Sequence, residues 1–205
     1  MQWLERFVDR TARRPDGWLG RALYREARAH RPGFERIKAE LALCPHERVL
    51  EVGCGAGVLL AEMLAQAASG YAIDHSADMV ALATERNAAA VREGRLELRQ
   101  GDAHCLPWPD ASCDAAASAH MFFFVERPRD LLREIARVLK PGGRVVIATS
   151  PRSTLSSLFL FPYAHAMRCY GDDELAAMME EAGFAEVRVR TEKRLLQLAV
   201  GRTSA

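Results

Sequence analysis

From Pro45 to Thr149 the chain alternates short apolar runs with longer stretches in which apolar residues recur at helical spacing. That texture belongs to a parallel sheet with crossover helices, because each strand is buried on both faces and its return path must cross the sheet. Strands are predicted over 48–52, 70–73, 96–99, 113–117 and 145–149, with helices over 58–68, 77–92 and 129–139. The last helix is expected to close at "KPGG", where Pro stops it and Gly supplies the turn. Then come a helix over 172–182, capped at Gly183, and two strand-like runs, "AEVRVRTE" and "RLLQLAVGR". The expected class is α/β, a doubly wound and mostly parallel sheet with seven strands in all.

Ahead of the sheet, residues 3–42 read as two or three short amphipathic helices. Trp3, Leu4, Phe7 and Val8 share one face, Trp18, Leu19, Leu23 and Ala27 another, and Pro15 and Pro32 punctuate them. We expect a helical N-terminal cap over 1–44, part of the same domain as 45–205. A length of 205 residues with 49% hydrophobic content suits one such domain.

The stretch "VLEVGCGAG", residues 49–57, sets three glycines directly behind the first strand. Bare backbone lets a ligand approach closely, and the following helix start offers unpaired N–H groups. An adenine dinucleotide is the first candidate, but its fingerprint is G-x-G-x-x-G. Here Gly53, Gly55 and Gly57 run G-x-G-x-G, with Val58 in the sixth place. Two acids sharpen the reading. Asp74 ends the second strand, where a carboxylate can take both hydroxyls of a ribose, and Asp102 follows the third. The set implies a cofactor that contains a nucleoside.

Charge and cysteine content narrow the partners. With 28 basic and 27 acidic side chains the net charge is +1, so no global field draws the chain to nucleic acid or to an anionic membrane. Residues 1–38 hold ten Lys or Arg against five acids, but those charges are dispersed. Five cysteines without a CxxC pair argue against both a disulfide framework and a zinc site and fit a reducing cytoplasm. "MQWLERFVDRTARR" lacks the apolar core of a signal peptide, and "LSSLFLFPYAHAM" is too short and interrupted to span a bilayer.

Four ordered motifs carry a resemblance: "VLEVGCGAG", "YAIDHSADMV", "GDAHCLPWPDASCD" and "REIARVLKPGGRVVIATS". The chain resembles the class I S-adenosylmethionine-dependent methyltransferases, in the branch that includes ubiquinone and menaquinone biosynthesis enzymes, from about Cys44 to Arg202. The resemblance implies a Rossmann-like methyltransferase fold, S-adenosyl-L-methionine as cofactor and a small-molecule methyl acceptor. It places Glu51 at the methionine ammonium, with the backbone of Gly53, Cys54 and Gly55 beneath the methionine portion. Asp74 would bind the ribose hydroxyls, Ser76 and Met79 would line the ribose and adenine, and Asp102 with the Ala103 backbone would read the adenine edge. Ser118 and Ala119 would face the methionine end. Many relatives carry a His pair where this chain has Phe123 and Phe124, so acceptor chemistry does not carry over.

Transfer from an activated sulfonium needs alignment and exclusion of water more than catalytic groups, and no metal. His120, just past the fourth strand, is the candidate general base for an oxygen or nitrogen acceptor. Tyr163, His165 and Tyr170 form a second polar group where an acceptor lid would lie, each more simply explained as structural. Cys54 reads as packing inside the turn. "LFLFPYAHAM", the "MFFFV" run and the N-terminal helices are expected to wall a pocket for a lipophilic acceptor, although plain core packing is the default for such an aromatic run. Nucleic-acid methylation is disfavoured, since no Asn-Pro-Pro-aromatic motif follows the fourth strand. The rival reading is a non-catalytic protein that keeps the cofactor pocket for regulation.

Overall fold

The computed structural model describes residues 30–152 and 167–204. The expectations for Trp3 to Ala27, for Tyr163 and His165 and for most of the 151–171 segment lie outside those residues.

Seven strands form one sheet in the order β3-β2-β1-β4-β5-β7-β6. β1 (Arg48–Val52), β2 (Ser69–Asp74), β3 (Leu96–Gln100), β4 (Cys113–Ala119) and β5 (Leu139–Thr149) are parallel. β7 (Leu196–Thr203) runs antiparallel between β5 and β6 (Phe184–Glu192). The order reverses between β1 and β4, which leaves a crevice at their carboxyl ends where open α/β sheets bind ligands.

Alternation along the strands divides the apolar side chains between two cores. Leu50, Val52, Ile73, Ala116, Val145 and Ile147 join one; Val49, Ala72, Ala115, Ala117, Val146 and Ala148 join the other. α5 (Pro128–Val138) covers the first face with Leu131, Leu132, Ile135 and Val138, all fully buried, and α6 (Asp172–Glu181) adds Leu175, Met178 and Met179. Each such side chain contributes about 1.5–3 kcal/mol on leaving water. The second face is covered by α1 (Arg31–Leu41) through Phe34, Ile37 and Leu41, and by α2 (Val58–Leu64) through Leu59, Leu60 and Met63.

Three of the sequence-based bounds need correction, the first being the helix expected over 58–68, which ends at Leu64. The helix expected over 77–92 is two helices, α3 (Ala77–Arg86) and α4 (Ala88–Arg92), because the Asn87 side chain turns back to donate to the Ala83 carbonyl and, across the chain, to that of Gly57. "KPGG" does not cap α5, which ends straight into extended backbone at Leu139. Its residues form an irregularity in β5, between the pairs Cys113↔Leu139 and Ala115↔Arg144, with Gly142 at φ 74°. α1 is the described helix of the segment expected to form a helical cap, and it is tied to the sheet by Arg36 to Glu192 (2.9 Å) and Arg190 to Glu40 (2.8 Å).

Candidate cofactor site

The glycine turn leaves β1 and clamps onto its neighbour, the Gly53 and Cys54 amides both donating to the Ile73 carbonyl at 2.8 and 3.1 Å. Gly53, Gly55 and Gly57 sit at φ 74°, 50° and 71°, in left-handed backbone that favours glycine. A Cβ on Gly55 would meet nothing within 4 Å, so this face of the turn opens into space. That space is a cleft of about 690 Å³.

Asp74, 7% exposed, ends β2 opposite the turn. Its Oδ2 accepts from the Gly55 amide and its Oδ1 from the Ser76 amide, each at 2.9 Å. A carboxylate oxygen has more than one acceptor direction, so both retain capacity toward hydroxyl donors. Ser76 itself caps α3, its Oγ accepting from the Met79 amide at 3.4 Å. Met79 lines the cleft, whereas Ser76 is buried and supports it from behind.

Glu51 is 2% exposed, yet its Oε2 has no hydrogen-bond partner. Burial, reinforced by the charge of Asp74, pushes its carboxyl well above the usual carboxylate range, against a backbone hydrogen bond with Leu60. An orphaned buried carboxylate oxygen facing an open glycine cradle suits a cation with N–H donors. Cys54 is buried, and its thiol is pushed up by that burial and by Glu51 and Asp74, which makes it packing and not a nucleophile.

The far wall carries Asp102 and Ala103. His104 holds the Asp102 carboxylate below its ordinary pKa, its amide donating to Oδ1 at 2.9 Å and its ring lying 2.5 Å from the same oxygen. Of the residues singled out in the sequence, Glu51, Gly53, Cys54, Gly55, Asp74, Met79, Asp102, Ala103, Ala119 and His120 converge on this cleft. Ser118 does not: it is fully buried one residue before Ala119, and its Oγ lacks a partner.

His120 also differs from the surroundings expected of a base. It takes φ 55°, stacks on His30 at 4.5 Å between centroids and abuts Gly33. Burial, with the neighbouring His30, lowers its pKa to about 3. A base works best with a pKa near the operating pH, so His120 here is a neutral wall residue. The "MFFFV" run divides. Phe122 and Phe123 are core, while Met121 and Phe124 face the cleft, Met121 lying against Gly53. Arg127 also lines the cleft and was not singled out in the sequence, while Met121 and Phe34 were covered only as parts of the "MFFFV" run and of the 3–42 helices. Phe34 had a usable signal, since it shares a helix face with Ile37 and Leu41.

Residues 50–147 match the family model described as "Methyltransferase domain". A demethylmenaquinone methyltransferase of Geobacillus kaustophilus is 28% identical over 191 residues, 80% of this chain and 81% of that protein. The chain is thus similar to methyltransferases, the family model matching just under half of its 205 residues. A ubiquinone/menaquinone biosynthesis C-methyltransferase of Geotalea daltonii is 34% identical over 57% of this chain, which spans 52% of that relative. Coverage of other curated relatives is 45% and 27% of their length. Among solved structures, a Haemonchus contortus phosphoethanolamine N-methyltransferase in complex with phosphomonomethylethanolamine and S-adenosylhomocysteine superposes with a TM-score of 0.80 at 16% identity, over 98% of this chain and 61% of that one, a likeness of fold.

S-adenosylmethionine fits the residues present. Glu51 and the Gly53–Gly55 backbone would hold its amino-acid end, Asp74 its ribose and the Met79, Asp102 and Ala103 wall its adenine. When bound, it supplies an electrophilic methyl on a cationic sulfur.

Binding should be linked to the proton on Glu51. Burial and the charge of Asp74 raise the Glu51 carboxyl above the usual range; an ammonium placed beside Oε2 would lower it, so that binding would expel a proton. Affinity for S-adenosylhomocysteine is therefore expected to rise with pH, by up to about tenfold per unit, until the raised pKa is passed. Calorimetric titrations across pH, with Glu51→Gln beside the unaltered protein, check this. An equally steep profile for Glu51→Gln would refute the assignment.

Proposed function

We propose that the chain transfers the methyl group of S-adenosylmethionine to a small lipophilic acceptor held against the apolar wall of the cofactor cleft. The observation that carries this reading is the mixed lining of the cleft. Glycine backbone and the Glu51 and Asp74 carboxyl groups share it with the apolar side chains of Phe34, Met121, Phe124, Val125 and Leu131, and Met121 lies directly against Gly53. A substrate seated on that wall lies over the turn, where alignment and exclusion of water do most of the catalytic work. Among the described residues no group of three or more His, Cys, Asp or Glu is placed to hold a metal ion, and no helix is long and apolar enough to cross a membrane.

A purely regulatory, cofactor-sensing role is the weaker reading, because the similar proteins are named for methyl transfer. An acceptor screen with radiolabelled S-adenosylmethionine separates the two: turnover of apolar phenols, quinols or amines supports transferase activity, and cofactor binding without turnover of any acceptor supports the rival. Once an acceptor is in hand, Phe124→Ala is expected to raise its KM by about 10- to 100-fold, the loss of one large apolar contact. Affinity for S-adenosylhomocysteine should change less than threefold. Loss of cofactor affinity instead would place Phe124 on the cofactor side of the cleft.

A further inference from the structure

A second cleft, of about 630 Å³, adjoins the first. Glu126 and Arg127 line both, so the two spaces meet along the segment that leads from Phe124 into α5. Its walls come from the start of α5, from Arg152 after β5 and from Met167 to Tyr170 ahead of α6. Four arginines face it: Arg127, Arg129, Arg152 and Arg168.

Several of these charges are already engaged. Arg152 pairs with Glu174, and Arg129 with Glu181 at 2.6 Å. Asp130 takes Arg133 at 3.1 Å and Arg127 at 3.4 Å. Arg168 differs: its amide donates to the Phe123 carbonyl at 2.7 Å and its Nη1 to the Glu126 carbonyl at 3.0 Å, which fixes the side chain without neutralising it. Beside it stands Tyr170, 7% exposed, with its ring edge against Phe122. The Tyr170 hydroxyl is buried with no hydrogen-bond partner, and among the charges it feels are those of Arg168 and Arg129. A buried hydroxyl without a partner, beside an arginine that meets no carboxylate among the described residues, is an incomplete hydrogen-bonding set. What completes it is an acceptor-only group.

We propose that the second cleft receives an anionic group, a carboxylate or phosphate, carried by the methyl acceptor itself. Arg168 supplies the charge, Tyr170 a hydroxyl donor, and Arg127 bridges toward the cofactor cleft. The acceptor is then an amphiphilic acid: its apolar body lies along Phe124 and Met121 while its anionic end reaches Arg168. This rests on the transferase reading above and narrows it. Glu126, exposed between the clefts, disfavours an acceptor that carries a second anion near its middle.

The test has two arms. In the first, thermal unfolding of the full chain is followed with inorganic phosphate or benzoate at constant ionic strength. Stabilisation relative to chloride, reduced at least threefold in Arg168→Ala and in Tyr170→Phe and partly restored in Arg168→Lys, is the expected result. Neither anion stabilising the unaltered protein overturns the site. In the second arm, aromatic acids are compared as acceptors with their methyl esters. The acid should be preferred, and Arg168→Ala should raise its KM about tenfold without changing kcat or the affinity for S-adenosylhomocysteine. Esters and acids turned over alike by both proteins overturn the acceptor assignment while leaving methyl transfer intact. Anion binding that needs Arg168, with no turnover of any acceptor, overturns it too and marks the cleft as a site for a free regulatory anion.

Discussion

Replacing Asp74 by alanine is expected to lower the affinity for S-adenosylhomocysteine by about 10- to 150-fold, or 1.4–3 kcal/mol, as measured by calorimetry. Two losses add. The first is direct, since a ribose seated at the mouth of the turn would set its hydroxyls on the carboxylate at the end of β2, and hydrogen bonds to charged groups contribute about 1.5–3 kcal/mol. The second is indirect: Asp74 ties the Gly55 amide to the Ser76 amide, the one on the glycine turn and the other at the cap of α3. Without that tie, the cradle and the Met79 wall are no longer held at a fixed separation. Asp74→Asn distinguishes the two. Its remaining carbonyl oxygen can keep one amide while the charge is gone, so its affinity should fall between those of the unaltered protein and Asp74→Ala. Unchanged affinity in Asp74→Ala would remove the ribose from this position and with it the orientation of the whole cofactor.

The part of this site that was legible in the sequence is the part that depends on backbone. β1 was predicted to the residue, and the turn, Asp74 and Asp102 all follow from strand ends, because a residue at the carboxyl end of a parallel strand has only one place to go. The acceptor side was less legible for a physical reason. Phe122, Phe123 and Phe124 are chemically equal, and a three-residue 3₁₀ turn decides that the first two enter the core while the third reaches the cleft. The surroundings of His120 were hidden on similar grounds. Its position after β4 was right, but its partner, His30, comes from the start of α1, some ninety residues earlier, and no local pattern announces that stack. Asn87 is a third instance. Propensity reads 77–92 as one helix, and a side chain bonding across the chain to Gly57 divides it.

That contact makes Gly57 a sensitive position in the turn for stability. Gly57 holds φ 71°, and a Cβ built there would lie 2.7 Å from Asn87 Nδ2, 2.9 Å from Ala83 Cβ and 3.0 Å from the Ala83 Cα. An alanine therefore meets two penalties, about 1–2 kcal/mol for left-handed backbone and about 1–3 kcal/mol for overpacking against a helix that cannot yield at its backbone. Gly57→Ala should lose about 2–5 kcal/mol, a large share of the 5–15 kcal/mol typical of a domain, and unfold roughly 5–15 °C lower. Gly94→Ala is the matched control. Its φ is 68°, but nothing lies within 4 Å of its Cβ direction, so it carries the backbone penalty alone and should lose about 1–2 kcal/mol. Gly55→Ala completes the series, for its Cβ also points into open space, and that space is the cofactor cleft. It should remain nearly as stable as Gly94→Ala while losing affinity for S-adenosylhomocysteine. Equal unfolding temperatures for Gly57→Ala and Gly94→Ala would mean that α3 shifts freely, so that the close approach of α2 to α3, and not the turn alone, ceases to define the site.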